Sequence, residues 1–178
     1  MLYRSGRLDS ATADDRRKLV HDYGINIVIG LRTKPEHIIR EQRGHYGNGL
    51  DELGVRTVNV HFISKKFEMA LVKQLGWWDV IKVVVLMIFG FRATAIRIIG
   101  EKVVKSKGLA GLSLASLEYC GEEIRSSLEI LCDQSAYPVL MHCTQGKDRT
   151  GLLSILLLLL LKVPIDAIKK TLRAQGKV

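Results

Sequence analysis

The chain has 178 residues, 47% hydrophobic and 25% charged, a composition that gives one globular domain with a substantial core and excludes a disordered chain. Lysine and arginine number 27 against 18 acids, and the resulting +9 suits phosphorylated proteins, anionic lipid headgroups or nucleic acid, of which the last is disfavoured by 6% aromatics and dispersed basic residues. Three cysteines, Cys120, Cys132 and Cys143, without paired metal-site spacing argue against a secreted disulfide framework, and Met1 to Ser5 lacks the apolar core of a signal peptide, so a cytoplasmic protein is expected.

Leu2-Tyr3-Arg4-Ser5 reads as a short strand. Ser10 to Asp14 offers a cap for a helix over Arg16 to Tyr23, which Gly24 ends. Ile25 to Leu31 is a β-branched run of the kind buried in a parallel sheet, and Arg32 to Glu36 sits where that strand finishes. His37 to Arg43 reads as a short helix, and the glycines of the following loop, 44 to 49, lack the order of a dinucleotide fingerprint. Arg56 to Phe62 alternates as the next strand, with His61 near its end either catalytic or, more simply, packed.

Residues 65 to 115 form a helical, lid-like insert. Trp77-Trp78 precede the uncharged run Val83 to Phe91, about half the length a spanning helix needs. An interfacial helix contacting a membrane surface through 77–107 and a plain completion of the core are both open. Helices follow over Gly111 to Leu117 and Glu122 to Cys132, the latter with Ile124, Leu128 and Leu131 on one face. Cys120 and Cys132 read as core residues, with a reversible disulfide to Cys143 as the lesser alternative. Lys162-Val163-Pro164 stops one helix and starts another through Ala167 to Ala174.

The most informative stretch runs from Val139 to Gly151 and leads into an apolar run, Leu152 to Leu161, broken only by Ser154. It reads as a buried strand, a tight loop and the start of a buried helix. A thiol with an ordinary pKa of about 8.5 needs activation to act as a nucleophile. Inward-turned amides between Cys143 and Arg149, together with the positive end of the helix dipole, supply it, and the same concavity binds phosphate oxygens. Arg149 offers a bidentate fork to those oxygens, Gly146 lets the loop turn, and Thr150 can aim its hydroxyl at the sulfur. Asp148 is the candidate proton donor, with Asp79 next in line, and Lys147 adds a second charge. Attack by Cys143 would form a thiophosphate that water then resolves, with no metal or other cofactor required. A Walker-type loop is excluded because Asp148 follows Gly146-Lys147.

His142 to Gly151 resembles the signature of tyrosine/serine protein phosphatases of the fungal and bacterial type, relatives of which also hydrolyse phosphoinositides. Tyr3-Arg4-Ser5-Gly6 resembles a second segment of that family, and Arg32 and Glu36 match a third in which Gly30 replaces an aspartate. The resemblance implies a three-layer α/β fold, a mostly parallel sheet of about four strands (2–4, 25–31, 56–62 and 138–142) with helices on both faces. It implies Cys143, Arg149 and Asp148 as catalytic residues, phosphate held by Thr144, Gln145, Gly146, Lys147, Asp148 and Arg149, and support from His142 and Thr150. Arg32 then either borders the pocket or forms a salt bridge with Glu36. The family has further chain at both ends, so 1–178 is expected to be a single phosphatase domain shortened at both termini. The expected activity is hydrolysis of phosphotyrosine, with phosphoserine and phosphothreonine as further candidates. A phosphoinositide phosphatase and a phosphate-binding module without turnover are the alternatives.

Overall fold

A computed structural model describes residues 1–33, 36 and 49–175; the helix expected over 37–43 lies outside the described residues. Four strands, β1 (Leu2–Ser5), β2 (Ile27–Gly30), β3 (Arg56–Asn59) and β4 (Val139–His142), form a parallel sheet in the order β1-β4-β2-β3. β2 and β4 are buried throughout, as β-branched and large apolar strands in the middle of a parallel sheet must be. Their side chains alternate between two cores. Ile27, Ile29, Val139 and Met141 join Ile124, Leu131 and Leu153 on one face, while Val28 and Leu140 join Leu8, Ile25, Leu50 and Val55 on the other. The first face is covered by α6 (Gly121–Cys132) and α7 (Asp148–Leu160), and the second carries Leu19 and Val20 of α1 (Ala13–His21). The fold is therefore the expected three-layer α/β arrangement.

The register sets up everything that follows. Ser5 pairs with His142, His142 with Gly30, and Gly30 with Asn59, so the four strands finish on one row. β3 is shorter than the alternation suggested because its partner, β2, ends at Gly30; Val60 still donates to the Gly30 carbonyl at 2.8 Å, and His61 lies beyond the ladder. α1 starts three residues earlier than expected because Thr12 and Asp15 form a capping box, with reciprocal bonds of 3.1 and 2.9 Å.

The apolar run after residue 151 is buried only in part. Leu152 and Leu153 are in the core, whereas Leu160 and Leu161 are each 65% exposed. A 13-residue helix is about 20 Å long, and four-residue strands cover about 13 Å, so α7 outruns the sheet it packs against. Cys132, expected inside, is exposed, Cys120 and Cys143 are buried, and no disulfide joins any of the three. After Pro164, α8 (Ile165–Gln175) buries Ile168.

Contacts divide the chain into two compact units, one of residues 1–62 and 122–178, just described, and one of Ile63–Gly121. The second comprises α2 (Lys65–Val72), α3 (Trp77–Ile88), α4 (Arg92–Ile99), a wider π-type turn at Gly100–Val104 and α5 (Lys105–Tyr119), in which Gly108, at φ 63°, interrupts the helix. Leu75, Val83, Ala95 and Val103 form one small core, and Phe67, Ala115 and Cys120 another. Ser64 caps α2 by accepting from the Phe67 amide and donates to the Tyr119 carbonyl at 2.8 Å, tying the two ends of this unit together. No helix among the described residues is long and apolar enough to cross a membrane.

Replacing Leu153 with alanine should cost about 2–5 kcal/mol, whereas Leu160→Ala should change stability by no more than about 0.5 kcal/mol. Urea midpoints at unchanged slope check both; equal losses would contradict the partial burial of α7.

Candidate active site

β4 delivers Cys143 one residue past the common edge of the sheet, between the chain leaving β1 and the chain leaving β2. The thiol is buried against the core, yet its sulfur is met by polar groups. The Gly146 amide donates to Sγ at 3.2 Å, and the Thr150 hydroxyl stands 3.9 Å away. The loop between them curls around the sulfur because Gly146 adopts φ 70° directly against the exit of β1. A Cβ there would lie 2.7 Å from the Gly6 nitrogen and closer still to the Ser5 carbonyl, so both the conformation and the space require glycine.

The neighbouring strand fixes the other side of this loop. Arg4 donates to the Gly146 carbonyl at 2.6 Å and to that of Lys147 at 3.3 Å, and the Arg7 amide donates to the Thr144 carbonyl at 3.2 Å. In a trans peptide the N–H points opposite to the preceding C=O. With those two carbonyls turned toward Arg4, the amides of Lys147 and Asp148 face away from it. Burial lowers the Arg4 pKa, and the neighbouring Cys143 acts in the opposite direction.

Arg149 is held from the β2 side. Its Nη1 donates to the Leu31 carbonyl at 3.2 Å and to Glu36 Oε2 at 2.7 Å. The other oxygen of Glu36 accepts from the Thr144 hydroxyl at 2.5 Å, and Oε2 accepts again from the amide and the hydroxyl of Thr33, each at 2.7 Å. Burial alone would raise the Glu36 pKa. The hydrogen bonds from Thr144, Arg149 and Thr33 overcome it and bring the carboxyl from an ordinary 4.5 down to about 2. Glu36 thus forms no side-chain salt bridge with Arg32, contrary to one of the two expectations for that pair. Arg32 is buried, takes both oxygens of Asp9 at 2.8 and 2.9 Å, and reaches only the backbone carbonyl of Glu36, at 3.2 Å.

The sequence model of the tyrosine phosphatase family matches residues 1–171. The chain belongs to the tyrosine phosphatase family. No curated protein matches it. This family member is accordingly a phosphatase.

Of the site residues named from the phosphatase signature, Cys143, Thr144, Gly146, Arg149 and Thr150 are joined by the contacts above. Gln145, Lys147 and Asp148 are exposed on the same loop and first helical turn, and His142 is buried as the last residue of β4. Gly30, which stands where the resembling family has aspartate, leaves its space to the Asn59 side chain: a Cβ at residue 30 would lie 2.5 Å from Asn59 Oδ1 and 3.3 Å from His142 Nε2. His61 makes a contact of 3.4 Å from Nδ1 to the Arg32 carbonyl, and Asp79, in the other unit, is paired with Lys102 at 2.6 Å.

Two contributors had no role assigned from sequence, Arg4 as the anchor of the loop carbonyls and Glu36 as the partner of Arg149. Arg4 lies inside the Tyr-Arg-Ser-Gly segment, which was the available signal. Glu36 lies with Arg32 in the third matching segment, but its pairing with Arg149, 113 residues further on, leaves no local pattern.

A carboxyl with a depressed folded-state pKa stabilises the fold fully above its unfolded value and loses that contribution as pH falls through the folded one. Glu36 should therefore contribute up to roughly 3 kcal/mol at neutral pH, all of it lost between pH 4.5 and 2. Glu36→Gln should be less stable than the parent at neutral pH, with the gap in urea midpoint closing as the pH is lowered through that window. A gap independent of pH would show that the carboxylate charge is not what holds Arg149.

Proposed function

We propose that the chain is a cysteine-dependent phosphomonoesterase that hydrolyses phosphotyrosine in proteins, with phosphoserine and phosphothreonine as further substrates. The observation that carries this reading is the Cys143 sulfur receiving the Gly146 amide at 3.2 Å, in a loop whose arginine is already oriented by Glu36. The loop opens onto the start of α7, where the positive end of the helix dipole attracts a phosphate.

Cys143 attacks phosphorus, forming the S–P bond as the P–O bond to the leaving group breaks. Asp148 gives its proton to the departing oxygen. Water then attacks the thiophosphate, Asp148 takes the proton from that water, and the S–P bond breaks to return the thiolate and release inorganic phosphate. The amides facing away from Arg4 and the fork of Arg149 hold the equatorial phosphate oxygens throughout. Thr150, fully buried beside Sγ, stabilises the thiolate when it leaves phosphorus.

A phosphoinositide substrate is the second reading, favoured by the exposed Lys147 and by the net charge of +9. Rates on phosphotyrosine peptides and on inositol phospholipid vesicles choose between the two. A module that binds phosphate without turnover would hydrolyse neither.

Cys143→Ser should abolish hydrolysis of a small aryl phosphate while retaining phosphopeptide binding by titration calorimetry; residual turnover would remove the sulfur from the reaction. Asp148→Asn should lower the rate by about 10²–10⁴-fold on substrates with poor leaving groups and remove the alkaline limb of the pH–rate profile. An unchanged limb would assign the acid to another residue.

A further inference from the structure

The second unit carries a helix that is apolar over most of its circumference and only half covered. Val83 of α3 is buried, and Val80 and Leu86 pack with it against Leu75, Ala95 and Val103. At 100° per residue the opposite side of α3 is a continuous stripe of Trp77, Trp78, Ile81, Val84, Val85 and Ile88, every one of them exposed, with Trp77 at 64% and Ile88 at 75%. Phe89 and Phe91, also exposed, extend the stripe past the end of the helix. An apolar patch of this extent marks an interaction surface.

Charge decides what meets it. Residues 63 to 121 hold nine lysines and arginines against four acids, more than half of the net +9 in about a third of the chain. Of the two charged residues of α3, Asp79 is turned in and neutralised by Lys102 at 2.6 Å, while Lys82 is exposed beside the stripe. A second copy of this unit would oppose cation to cation, and the rest of the chain is itself net basic. A negatively charged, apolar-cored layer suits both the stripe and its rim.

We infer that α3 and the Phe89–Phe91 turn dock onto the surface of an anionic lipid bilayer, with the helix lying in the interfacial plane and its tryptophans at headgroup level. A helix of 12 residues, about 18 Å long, is too short to span but sufficient to seat its apolar face among the acyl chains. Trp77 and Trp78, stacked at 3.9 Å between ring centroids, present the amphipathic rings that favour this depth. The inference is independent of the catalytic reading.

Trp77 and Trp78 are the only tryptophans in the chain, so intrinsic fluorescence reports on this face alone. With the full chain and vesicles of mixed phosphatidylserine and phosphatidylcholine, the emission should shift to the blue and be quenched by brominated acyl chains. Phosphatidylcholine alone should give a much smaller response, and added salt should weaken binding. Ile81→Asp with Ile88→Asp should abolish the response with an unchanged thermal melt, since both side chains are exposed, and Lys82→Gln should weaken vesicle affinity by about fivefold. Cys143→Ser should bind these vesicles as the parent does, which separates docking from turnover. The inference is overturned by an emission that ignores vesicles, by one already blue and unresponsive because the chain covers its own stripe, or by one that shifts with protein concentration alone because a second copy covers it. Dependence of vesicle binding on Cys143 would also overturn it.

Discussion

One carboxylate joins the two loops on which the site is built. Glu36 receives Thr144 on one oxygen and Arg149 and Thr33 on the other, so the chain leaving β2 is fastened to both ends of the loop that follows β4. Arg149 is oriented before any substrate arrives, and a guanidinium held in place loses less freedom when an oxyanion binds. The arrangement works because Glu36 stays ionised, and it stays ionised because its donors outweigh the burial that would neutralise it.

β1 completes the cradle from the opposite side. It is an edge strand of four residues, yet it supplies the Arg4 anchor and the backbone wall against which Gly146 turns. In-register parallel pairing is what allows this: because Ser5, His142 and Gly30 share a row, the chains leaving three strands emerge side by side. A slip of one residue in β1 would turn Arg4 to the other face of the sheet and remove the loop's anchor.

Much of this was legible beforehand for specific reasons. β2 and β4 announce themselves as short β-branched or large apolar runs, and Cys143 to Gly151 carries its chemistry in consecutive residues. The failures are equally specific. The pairing of Glu36 with Arg149 leaves no local pattern, so the nearer Arg32 drew the expectation, while Arg32 found Asp9. The run after Gly151 reads as uniformly buried because leucine after leucine encodes no face, and only the length of the sheet decides where burial stops. α3 poses the same difficulty, since a helix apolar over most of its circumference does not say which side packs inward.

The strand order also governs when this protein can assemble. Among the described residues β1 pairs with β4 alone, and the two meet through Leu2 and Val139, which are far apart in the chain. β2 and β3 can pair as soon as both are made, whereas β1 waits for β4. Such long-range closure is slow. The loop over 143–149, which Arg4 and the exit of β1 brace, can therefore close only after the chain between the two strands has been made.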